Sequence, residues 1–72
     1  MFKFNRAKIL SRFFAMGIPI AKFAQKANVS FYTAERALQG ERVSAPVINK
    51  ISRAMEIDAV EFLEPTKPIK GV

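Results

Sequence analysis

Apolar residues in this chain recur at helical spacing, and no stretch alternates with period two over a useful length. After Asn5, a plausible N-cap, Ile9, Leu10, Phe13, Phe14 and Met16 make a broad apolar face with Arg6, Lys8 and Arg12 mostly away from it. Phe4 and Ile9 form a hydrophobic staple around that start, and Gly17 marks the stop. A second helix is predicted from Pro19 to Ala27, because proline suits a helix start and Ile20, Phe23, Ala24 and Ala27 fall on one stripe. Lys22, Gln25 and Lys26 take its wet side. Asn28 stands where the chain must turn sharply, Ser30 caps the third helix, and Gly40 ends it. In that helix Ala34, Ala37 and Leu38 point inward, while Tyr32, Glu35, Arg36 and Gln39 face out beside Phe31.

Ser44 is predicted to cap a fourth helix, with Val43 and Ile48 as its staple and Pro46 in its first turn. Ile48, Ile51 and Met55, flanked by Val47 and Ala54, face inward; Asn49, Lys50 and Arg53 face out. Asp58 begins a fifth helix, Asp58–Leu63, with a capping box to Glu61 and a staple between Ile57 and Phe62. The expected fold is all-α, a compact bundle of five short helices. It divides into an arm over residues 1–4, a domain over residues 5–63, and an irregular or disordered tail over residues 64–72 with two prolines and a glycine.

The stretch Ile18–Gly40 places small residues, Ala24, Ala34 and Ala37, where two helices crossing after a three-residue turn must approach closely. With Phe23-Ala24, Asn28-Val29-Ser30 and Gly40 in their places, it resembles the helix-turn-helix of the phage repressor and Cro (lambda-repressor-like) family. The resemblance runs from about Asn5 to Leu63. It implies sequence-specific binding of double-stranded DNA by a small Cro-like repressor of a phage or mobile element, with the helix Ser30–Gln39 in the major groove. By family position, Phe31, Tyr32 and Arg36 would touch bases, with Thr33 and Glu35 near. Backbone contacts would come from Ile20 through main-chain N–H groups, and from Lys22, Lys3, Gln39, Arg42 and Ser44. A homodimer on a palindromic operator is also implied, paired through the fifth helix at Val60 and Leu63, with Phe2, Phe4 or Ile69 adding to that surface. The chain departs from the family at Phe13 and Leu38, where many members carry an ion pair, and at Glu56, where a glycine is common.

Charge sharpens this picture. The 72 residues carry twelve Lys and Arg against six Asp and Glu, for +6. Residues 1–54 hold ten basic and two acidic side chains, net +8, and residues 55–72 are net −2. A basic body favours a polyanionic partner, although simple solubility accounts for charge of this size as well. With no His and no Cys, the usual base, nucleophile and transition-metal ligands are missing, and no glycine-rich phosphate loop appears. Neither catalysis nor a cofactor, a metal or a small-molecule substrate is therefore expected. The opening MFKFNRAKILSRFFAMG has no continuous apolar centre, so a secretory signal is not expected and the cytoplasm of a prokaryotic host is the default compartment.

Other readings of the same residues stay open at this level. The first helix is basic and amphipathic and can lie on an anionic membrane. Phe31 can fold back on the bundle, Arg36 can pair with Glu35 or Tyr32, and each exposed Lys or Arg can be merely solvated. Glu35 fits DNA worst, since phosphates repel it. A protein-interaction module on the same fold, such as an antitoxin or an antirepressor-like partner, is the competing function, motivated by Phe31 and Tyr32.

Overall fold

The computed structural model describes residues 1–64. The helices are α1 (Arg6–Met16), α2 (Ile20–Ala27), α3 (Phe31–Leu38), α4 (Ala45–Met55) and the single turn α5 (Ala59–Phe62), an all-α arrangement among the described residues. Of the tail, only Glu64 is described, so the expectation of an irregular end and the role given to Ile69 lie outside the described residues.

The helix starts follow their local chemistry. Asn5 Oδ1 accepts from the Lys8 amide at 3.1 Å, and Ser30 Oγ accepts from the Thr33 amide at 3.1 Å. Two start signals act differently from expectation. Ser44 holds the N-cap position of α4 without a side-chain cap bond, and Asp58 Oδ1 accepts from the Val60 amide, so the box with Glu61 does not form. Four helices end in the left-handed region at Gly17, Asn28, Gly40 and Glu56. After α2, α3 and α4 the chain closes with a paired turn in which two successive amides return to the last carbonyls. At the end of α3, the Gly40 amide donates to Ala37 O (3.1 Å) and that of Glu41 to Arg36 O (3.0 Å). Gly40 is required there twice over: its φ is +80°, and a Cβ would stand 3.1 Å from Arg6 Cβ and 3.4 Å from Phe4 O.

One core joins α1 to α4. Phe23, Ile9, Ile51, Ala34 and Ala37 are completely buried, and Phe13 meets Phe23 edge-on with ring centroids 5.5 Å apart. Each fully buried Phe of this kind contributes about 1.5–3 kcal/mol. Phe13 and Leu38 both belong to this cluster, two apolar side chains buried in one core.

Three expectations about α1 and the residues before it need correction. Phe14 is not part of the inward face: it is 70 % exposed, because the stripe through Ile9 and Phe13 leaves it on the far edge of the helix. Arg12 turns inward, with Nε and Nη2 donating to Met55 O at 3.2 and 2.7 Å, which satisfies a carbonyl at the end of α4. Residues 1–4 are no free arm. Phe2 and Val43 exchange backbone hydrogen bonds of 2.9 and 2.7 Å, while Asn5 N–H donates to Phe62 O and Glu64 N–H to Lys3 O on the other edge. Phe4, opposite Leu63, is 1 % exposed and belongs to the core, so it contributes nothing to an outer pairing surface.

Candidate nucleic-acid interface

The turn between α2 and α3 is three residues long. Asn28, at φ 59°, makes the corner; the Val29 amide donates to Ala24 O at 3.0 Å, and Lys50 Nζ reaches Asn28 O at 3.5 Å. Ala24, Ala27, Ala34 and Ala37 are buried on the inward faces of these two helices, beside Phe23 and Leu38. The consequence is that α3 shows its first turn and outer side to solvent. Tyr32 is 75 % exposed and Phe31 51 %, so Phe31 is half laid against the surface and half open.

Thr33 is half-buried, and its Oγ1 accepts from Ser30 Oγ at 2.9 Å. Glu35 is half-buried, and its side chain makes no hydrogen bond or ion pair among the described residues. Arg36 pairs with neither Glu35 nor Tyr32: its Nε lies 3.5 Å from Glu41 Oε1, with both side chains more than half exposed. Glu41 is the residue that sequence reasoning passed over. The signal was present, because a glycine just past a helix folds the next residue back over the third residue from the end, here Arg36.

Of the residues expected to meet a nucleic-acid backbone, Lys22, Gln39, Arg42 and Ser44 are exposed, as is Lys3. Ile20 is half-buried against the core. Its helix starts at Pro19 without a side-chain cap, which leaves the first amides of α2 without a backbone acceptor. A notch of about 180 Å³ brings several candidates together: Thr33, Arg36, Arg42 and Ser44 line it, over a floor of Val43 and Val47 with Met1 at the rim. The Ser44 hydroxyl, unused as a cap, opens there beside the first amides of α4. Lys22 and Gln39 are not among the lining residues.

A second basic cleft has an internal explanation. Lys26, Lys50, Arg53 and Glu56 surround the ends of α2 and α4, where cations complement the negative ends of both helices. Beyond α4, Val60 is 78 % exposed, whereas Leu63 is half-buried and packs on the core opposite Phe4. Both line a shallow groove with Lys8, Glu61 and Glu64.

Among the described residues no three His, Cys, Asp or Glu side chains gather to hold a metal ion, and no helix is long and apolar enough to cross a membrane. What fold and surface define is a small all-α protein that presents a capped, partly aromatic helix beside an arginine-lined notch. No protein-family model, curated protein or solved structure matches the chain.

Proposed function

We propose that the protein is a sequence-specific double-stranded DNA-binding regulator, with α2 and α3 acting as a helix-turn-helix of the lambda-repressor-like kind. The observation that carries the reading is the open first turn of α3 next to the Arg36–Arg42–Ser44 notch. A helix fits the major groove, where every base pair displays its own pattern of donors, acceptors and methyl groups. Phe31 and Tyr32 would pack on thymine methyls, Arg36 would bond a guanine edge, and Thr33 and Glu35 would lie alongside. Ile20 through its amide, Lys22, Gln39, Arg42 and Ser44 would meet phosphates, which set register without reading sequence.

A module this small reads few bases, so a homodimer on a palindromic operator follows, with half-site centres about 34–36 Å apart. Val60 is the open residue for pairing, with Leu63 behind it. The protein would act in the cytoplasm of a prokaryotic host as a Cro-like repressor of a phage or mobile element, by occupying its operator.

Selection from a random duplex pool tests this directly: enrichment of a palindrome supports it, and a pool that stays random removes it. Within the selected site, Arg36→Ala is expected to relax preference at one base pair, and Arg42→Ala to weaken all duplexes alike. The exposed Phe31 and Tyr32 also suit a protein partner, an antitoxin-like or antirepressor-like role. That reading predicts binding that changes little with salt, whereas DNA affinity falls steeply as counterions are released.

A further inference from the structure

We propose that Glu41 is the positioning residue that aims Arg36 at a guanine, an inference that rests on the DNA-binding reading above. Its place is fixed by the backbone. Gly40, at φ +80°, reverses the chain, and the Glu41 amide is bonded to the carbonyl of Arg36 itself at 3.0 Å. The turn thereby brings the carboxylate within reach of the Arg36 guanidinium before any ligand arrives. Gly40 can hardly vary, because any side chain there would press on Arg6 Cβ and Phe4 O.

The atom engaged matters as much as the distance. Glu41 Oε1 meets Nε of Arg36 at 3.5 Å, and neither terminal nitrogen of Arg36 has a hydrogen-bond partner among the described residues. A guanidinium held by Nε keeps its two Nη groups free as a fork, the arrangement that matches guanine O6 and N7. Fixing the side chain in advance lowers the entropy lost on contact, so the correct base gains most. An exposed ion pair contributes little to stability, which separates this role from a structural one. The carboxylate carries an opposing cost: it repels phosphates and so weakens binding to every duplex.

These two effects give Glu41→Gln a distinctive signature. Arg36→Ala first identifies the base pair that Arg36 reads in the selected duplex. Affinities of the parent, Glu41→Gln and Glu41→Asp are then measured for that duplex and for one carrying 7-deazaguanine, which lacks the N7 acceptor, at that pair. Glu41→Gln is expected to lose discrimination by about twofold to fivefold, while its affinity for unrelated duplex rises and its thermal midpoint stays put. Glu41→Asp should restore part of the discrimination. In the free protein, the Arg36 Nε–H signal should exchange with water more slowly in the parent than in Glu41→Gln. A uniform gain in affinity with discrimination unchanged would overturn the proposal, as would the same loss of discrimination in an Arg36→Ala background. A parent protein that selects no duplex would instead remove the DNA-binding reading, and the proposal with it, whatever the exchange measurement gives.

Discussion

Ser52 lies on the inner side of α4, 6 % exposed, and its hydroxyl has no hydrogen-bond partner among the described residues. A buried polar group in that state bears its desolvation cost without return, so Ser52→Ala is expected to raise stability by about 1 kcal/mol, read as a higher urea midpoint. A lower midpoint would mean that the hydroxyl is satisfied. Four residues on, Glu56 takes the left-handed conformation at φ 58°, which disfavours any side chain with a Cβ. Lys26, Lys50 and Arg53 line the same cleft, so its carboxylate stands in a positive field, although none of them is ion-paired with it among the described residues. Glu56→Gly should therefore stabilise by only about 0.5–1 kcal/mol, while Glu56→Ala, which keeps the strain and loses the charge, should destabilise. Thermal midpoints of the two variants moving in the same direction would refute this division. At the same scale, Arg36 and Glu41 show what a residue-by-residue reading overlooks: five positions apart, they meet only because Gly40 turns the chain back.

Among elements, α4 depends most on a distant side chain. Its final turn is held by its own backbone, but Met55 O is satisfied by the half-buried Arg12 of α1 through two nitrogens. Arg12→Met keeps most of the aliphatic length and removes the charged donor. It should cost about 1.5–3 kcal/mol and speed amide exchange first in the last turn of α4. Uniform exchange across all helices would count against a local capping role. The helices themselves were legible in the sequence because their signals are local: Asn5, Ser30, Gly17, Asn28 and Gly40 act within a turn of where they stand. What periodicity could not supply was partnership across the chain. Arg12 looked like a wet-side residue and Phe14 like a core one, because an apolar stripe fixes a helix face only to within about one residue's rotation. The exposed first turn of α3 followed from pattern alone, but the notch beside it needed the loop 41–43 to be placed.

For the whole molecule, the telling contacts are those of residues 2–5, which lie between Val43 on one edge and residues 62–64 on the other. Phe4 is buried at that junction, and Phe4→Ala should cost about 3–5 kcal/mol. Small domains of this size hold about 5–15 kcal/mol at most, so the variant should be substantially unfolded near physiological temperature, read by circular dichroism. If its helicity and melting match the parent, residues 1–4 are an ornament after all. The periodicity of residues 1–4 is too short to show this, since a segment bonded on both edges to remote partners leaves no local signature. The closure also bears on synthesis. Residues 3–5 complete their seating only against residues 62–64, so during translation that edge stays open until Leu63 has cleared the ribosomal exit tunnel. A chain truncated before Phe62 would leave Phe4 without that edge and should be cleared faster than the parent by the cell's proteases.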